Sequence, residues 1–208
     1  MIPAPAYHVW ARGSRRQRTF FTPEDYAHYL DLLKQNCARW QVAVWAYCLM
    51  PNHMHLLAAP PTPQALSSTV GETQRRYARS LNGRKEWKGH LWQGRFGCCP
   101  ILDETRLYTA ARYVELNPVR ANLVRSAEDW PWSSARAHLW GIEDPLLGPS
   151  VVTATWPDWD AALACPLPEE EVLEFRQREK SGFPLATPEQ VRQLEEKLGR
   201  RLRRPRSW

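Results

Sequence analysis

Apolar runs and helical-period stretches alternate along the first two thirds of the chain. Tyr7 to Arg12 is a short aromatic and β-branched run that ends in a basic turn, Gly13-Ser14-Arg15-Arg16. Thr22-Pro23-Glu24-Asp25 reads as a helix start, with Thr22 as N-cap and Pro23 in the first turn. Tyr26, Tyr29, Leu30, Leu33 and Cys37 carry that helix forward at its own period. Val42 to Leu49 and His53 to Ala59 read as strands joined by Met50-Pro51-Asn52, an antiparallel hairpin. Pro60-Pro61-Thr62-Pro63 then breaks the chain before a second helix, Gln64 to Leu81, which Asn82-Gly83 is expected to end. A strand within Arg95 to Leu102 and a third helix, Asp103 to Leu116, follow. Pro118 predicts the end of that helix, because it disfavours helical geometry at Asn117.

The resulting order, β-α-β-β-α-β-α, is a split βαβ pattern. It predicts an α+β, ferredoxin-like fold with two helices on one face of a four-stranded antiparallel sheet. From about Gly141 the texture becomes Pro-rich, Trp-rich and poorly periodic. The reading is therefore one domain over 1–140 and, over 141–208, a linker with a basic helical C-terminal extension. That extension holds a capping box, Thr187 to Gln190, an apolar stripe of Val191, Leu194, Leu198 and Leu202, and a terminal run of arginines. No internal repeat is visible.

Composition narrows the partners. The 208 residues are 43% hydrophobic with 11 Trp, enough for a core, and the net charge of +6 with a pI near 9.2 favours polyanions. No apolar run approaches the length that spans a bilayer, and the first residues lack a signal-peptide layout, so no membrane partner is expected. Five cysteines, odd in number and without C-x-x-C spacing, point to free thiols in a reducing cytoplasm. The vicinal Cys98-Cys99 fits buried strand positions better than redox chemistry.

Candidate chemistry centres on Pro51-Asn52-His53-Met54-His55. Side chains two apart on a strand share a face, so His53 and His55 can offer two imidazoles to one cation. On the third helix Tyr113 and Asn117 lie one turn apart, and at about 100° per residue they share a flank with Arg106, whereas Tyr108 lies on the other. Each feature alone has a bland reading: strand histidines make core hydrogen bonds, and helical tyrosines fill cores and rims.

Several motifs together resemble one family. Pro51-Asn52-His53-Met54-His55, Leu91-Trp92-Gln93-Gly94-Arg95-Phe96 and Tyr113-x-x-x-Asn117-Pro118-Val119-Arg120 are similar to those of the REP-associated tyrosine transposases, single-tyrosine HUH nucleases. His8-Val9-Trp10-Ala11-Arg12-Gly13 and Asp129-Trp130-Pro131-Trp132-Ser133-Ser134 match as well. The resemblance spans residues 7 to 140. It implies a ferredoxin-like transposase that binds single-stranded DNA hairpins, with His53, His55 and Asn117 as ligands of Mg²⁺ or Mn²⁺ and Tyr113 as nucleophile. A Gln often fills the place of Asn117 in related transposases. The reaction it implies is cleavage and rejoining through a 5′-phosphotyrosine, acting on nucleoid DNA in a bacterial cytoplasm.

DNA contacts are expected from Arg12, Arg15, Arg16 and Arg18, from Arg75 and Arg79, and from the C-terminal arginines, with Arg106 beside the phosphate or phenolate. Trp87 and Trp92, among Lys85, Lys88 and Arg95, are candidates for stacking on unpaired bases. A water-dependent hydrolase, a catalytically silent regulator and an RNA-binding factor stay open beside this reading, as do monomer and homodimer. No general base for Tyr113 is apparent.

Overall fold

The computed structural model describes residues 6–148 and 151–202. Four strands, β1 (Ala6–Arg12), β2 (Ala43–Met50), β3 (His53–Ala59) and β4 (Gly97–Ile101), form one sheet in the order β2-β3-β1-β4. All three pairings are antiparallel, so the expected ferredoxin-like sheet is present. Helices α1 (Pro23–Trp40) and α2 (Pro63–Lys85) cover one face. There Tyr29, Leu33, Val70 and Tyr77 pack on Val9, Met54, Leu56 and Ala58. The Thr22 start of α1 has its capping box, closed by Asp25.

The opposite face carries α3 (Glu104–Glu115), started by the Asp103 side chain accepting from the Arg106 amide. Leu107, Ala110, Ala111 and Val114 form its wholly buried stripe, small enough at its centre to sit close to the sheet. Two boundaries differ from expectation. Helix α2 runs through Asn82-Gly83 to Lys85 and stops where Glu86 takes a left-handed conformation. The break after α3 falls at Leu116 (φ −80, ψ 1), and Asn117 opens a one-turn helix, α4 (Asn117–Arg120). Pro118 stands in the first turn of α4, where its missing N–H costs nothing.

The rest of the chain is α5 (Ala135–Trp140), α6 (Val151–Thr155), α7 (Trp159–Ala164), α8 (Glu169–Ser181) and α9 (Pro188–Leu198). Val152, Trp159 and Phe175 from this region join the same core as α3. Both sheet edges are blunted: Leu185 bonds alongside Pro100 and Leu102 at β4, and Gly148 donates to the Val44 carbonyl at β2. The capping box at Thr187 and Gln190 is formed as expected. The arginines beyond 202 lie outside the described residues.

Candidate active site

Strand register brings the site together. His53 stands opposite Arg12 on β1 and Met50 on β2, and His55 opposite Trp10 and Cys48, so these side chains share one face. Trp10 lies flat over Gly97 of β4: a Cβ there would fall 2.3 Å from the indole, so only glycine fits. Above the histidines, the end of α3 and the start of α4 supply Tyr113, Asn117 and Arg120. Helix α8 closes the space from the side. The cavity between them, about 700 Å³, is lined by His53, His55, Tyr113, Asn117 and Gln93, among others. Arg12, Arg16, Arg120, Arg176 and Lys180 also line it, against the single carboxylate of Glu179. That balance suits a polyanion.

Each histidine is held by its neighbours. His53 Nδ1 lies 2.6 Å from Asn52 Oδ1, and Asn52 Nδ2 donates to the Arg16 carbonyl, which fixes the orientation of that amide. His55 Nδ1 lies 3.0 Å from His8 Nε2 and 3.7 Å from Glu179 Oε1. Burial, then the charge of Arg12, lowers the His53 pKa to about 4, with the Asn117 side chain acting in the opposite direction. Burial, followed by the neighbouring His53 and His8, holds His55 well below the ordinary imidazole range. Both rings are therefore neutral near pH 7 and have a lone pair to give.

Tyr113 is buried, only 4% exposed. Its ring stacks on Phe175 of α8 at 4.5 Å and 15°, and the Arg120 guanidinium lies 4.0 Å from its other side. Its hydroxyl donates to Glu179 Oε1 at 3.2 Å. Burial raises the phenol pKa first and the Glu179 charge adds to it, while Arg120 pulls it down. Burial also raises the Glu179 carboxyl.

The donor chemistry fits a divalent cation. His8, His55 and Glu179 bring ligand atoms within 4.8 Å of one another. The Asn117 amide nitrogen is buried and has no partner among the described residues, and the Asn117 side chain lies against His53. Imidazole, carboxylate and amide oxygen together suit Mn²⁺ or Mg²⁺.

The other expected residues are dispersed. Arg15 is exposed on the turn after β1. Arg75 and Arg79 line a separate surface recess along α1 and α2, where Arg75 is paired with Glu72. Arg95 lies at a further cavity of about 800 Å³ between α2 and the segment before β4. Two expectations need correction. Trp92 is largely a core residue, 7% exposed, packed beside Phe20, Tyr29 and Tyr77 with its ring N–H given to the Gln74 carbonyl, and only its margin lines the cavity at Arg95. Arg106 is ion-paired to Glu174 and ties α3 to α8, away from the cavity lining. Sequence reasoning missed His8 and Glu179 as site residues. The parity of β1 places His8 with Trp10 and Arg12, a usable signal. Nothing local marks Glu179.

This combination of fold and cleft belongs to the tyrosine transposases, a class of DNA-processing enzymes. Residues 4–117, more than half of the chain, match the family described as Transposase IS200 like, and the chain belongs to that family. A REP-associated tyrosine transposase of Haemophilus influenzae is 28% identical over 130 residues, 57% of this chain and 73% of its own length. The solved structure of a REP-associated tyrosine transposase bound to a REP hairpin superposes with a TM-score of 0.57. It covers 72% of this chain and 88% of that one at 19% identity, a likeness of fold. No helix among the described residues is long and apolar enough to cross a membrane.

Proposed function

We propose that the protein binds single-stranded DNA folded into hairpins of the REP type, and cleaves and rejoins it through a 5′-phosphotyrosine on Tyr113. The observation that carries this reading is the meeting of the Tyr113 hydroxyl and His55 at one carboxylate, 3.2 and 3.7 Å from Glu179 Oε1, inside a cleft rimmed by cations. His53, His55 and Asn117 would hold Mg²⁺ or Mn²⁺. When bound there, such an ion neutralises charge on the scissile phosphate and orients it.

The protein's own groups do the rest. Arg12, Arg16 and Arg120 draw the phosphate into the cleft. The Tyr113 oxygen forms a bond to phosphorus as the bond from phosphorus to the 3′ oxygen breaks. The phenolic proton leaves and the departing strand ends as a 3′-OH. The phosphodiester energy is kept in the phosphotyrosine, so attack by a 3′-OH reverses the step and joins strands. In this reading 1–140 carry the chemistry and 141–208 control access to it, and the protein works in the cytoplasm where the DNA lies.

The test is an adduct assay with a labelled single-stranded hairpin and Mg²⁺ or Mn²⁺, run on a denaturing gel beside Tyr113→Phe. A shifted band that disappears in the variant supports the reading. Cleavage that survives in the variant would make water the nucleophile. The burial of Tyr113 under α8 favours one second reading, a catalytically silent hairpin-binding regulator; it predicts binding with neither cleavage nor adduct.

A further inference from the structure

His8 is wholly buried on β1, opposite Leu57 and therefore diagonal to His55. It does not line the active-site cavity, so it touches no substrate. Its ring lies nearly parallel to that of His55, at 12° and 5.2 Å between centroids, and the only polar contact its ring makes among the described residues is Nε2 to His55 Nδ1 at 3.0 Å. Its Nδ1 is buried without a partner there. Both rings are buried and their nitrogens face each other at 3.0 Å, a geometry in which one nitrogen donates and the other accepts.

That contact holds one proton, and its position decides what His55 can do. If His8 Nε2 carries it, His55 accepts at Nδ1 and its own proton sits on Nε2, which then has no lone pair for a cation. If His55 Nδ1 carries it, His8 accepts and His55 Nε2 is free to ligate. Two neighbours select the second arrangement. Glu179 Oε1, 3.7 Å from His55 Nδ1, favours a proton on that nitrogen. His53 shows the same layout, its Nδ1 against an Asn52 oxygen that can only accept, because Asn52 Nδ2 is spent on the Arg16 carbonyl. Outer partners of this sort fix the tautomer and ring orientation of ligating histidines.

We propose that His8 is a positioning residue for the cation site: it accepts the Nδ1 proton of His55 and so turns His55 Nε2 into a ligand. The proposal rests on the metal site of the reading above. It gives an otherwise unexplained buried histidine a purpose, and it divides the His8, His55 and Glu179 cluster into one ligand and two orienting groups.

The experiment compares wild type, His8→Leu and His8→Gln, because a glutamine amide oxygen can take the place of Nε2 as acceptor. ¹⁵N-detected NMR on the metal-free protein reads the His55 tautomer, and Mn²⁺ affinity is read by electron paramagnetic resonance, neither needing DNA. The expected result is a Nδ1–H tautomer at His55 in wild type. His8→Leu should weaken Mn²⁺ binding by about 10- to 100-fold without loss of fold, and His8→Gln should restore most of it. A Nε2–H tautomer in wild type would overturn the proposal, even if His8→Leu does not fold. So would Mg²⁺ perturbing the His8 nitrogens, which would make His8 a ligand, or a Gln variant no better than Leu, which would make His8 packing alone. Failure of Tyr113 to form an adduct leaves these readouts untouched, so it sinks the nuclease reading separately.

Discussion

Tyr113 sits where its surroundings oppose ionisation: buried, stacked on Phe175 and facing a carboxylate, with Arg120 and then Arg176 favouring the phenolate. The Tyr113 hydroxyl thus depends on groups far from it in the sequence. Glu115, two residues on, plays a different part. It is wholly buried and accepts from Ser134 Oγ, His138 Nδ1 at 2.6 Å and Trp159 Nε1 at 2.8 Å, joining α3 to α5 and α7. Glu115→Ala leaves His138 Nδ1 and Trp159 Nε1 without this partner, while Ser134 Oγ keeps Tyr47, and should cost about 3–5 kcal/mol in urea unfolding. A cost below about 1 kcal/mol would mean that water replaces the carboxylate. The buried histidines set the acid limb of stability. His8 and His53 have folded pKa values of about 3 and about 4, against about 6.5 in the unfolded chain. Between those values the unfolded state binds more protons. Stability is therefore complete above about pH 6.5 and falls with acidification, by up to about 1.4 kcal/mol per pH unit for each ring. Urea melts of the metal-free protein between about pH 7 and about pH 5 check this; a flat profile would contradict it.

Among the elements, α8 departs furthest from what the sequence suggested. The site strand and helix were legible because their signals are local: period two places His53 with His55, and period 3.6 places Tyr113 with Asn117. Helix α8 lies far along the chain in a stretch with little amphipathic pattern, and its fit depends on scattered contacts such as Phe175 on Tyr113 and Glu174 with Arg106. The same distance hid Glu179. The two boundary differences are local competitions. Pro118 acts as a first-turn residue of a new helix, and Gly83 stays helical because the left-handed cap falls later, at Glu86. Helix α8 covers one face of Tyr113 through Phe175, so loosening α8 should raise adduct formation. Arg106→Ala removes the tie to Glu174, which is partly exposed, and should change stability by less than about 1 kcal/mol while adduct yield rises. A fall in yield would mean that Arg106 serves the phosphate instead.

Across the molecule, charge and sheet face agree. The face covered by α1 and α2 is given to core. The other face opens, at the end of the sheet where Arg12 and His53 stand, into the cleft lined by five cationic side chains. Overall basicity was plain from composition, but which arginines converge was not: Arg12 and Arg16 do, while Arg75 and Arg79 lie on another surface. Hairpin binding should weaken steeply with salt, and Arg12→Ala and Arg16→Ala should each lower the slope of log K against log salt by about 1. A slope unchanged in both would place the phosphates elsewhere. The central claim is a covalent bond from Tyr113 to DNA, and mass spectrometry of protease-digested wild-type protein after reaction with a single-stranded hairpin and Mn²⁺ reads it directly. The account predicts a 5′-phosphonucleotide on the peptide that holds Tyr113. Nucleotide on a different residue, or cleaved DNA with no modified peptide, would contradict it.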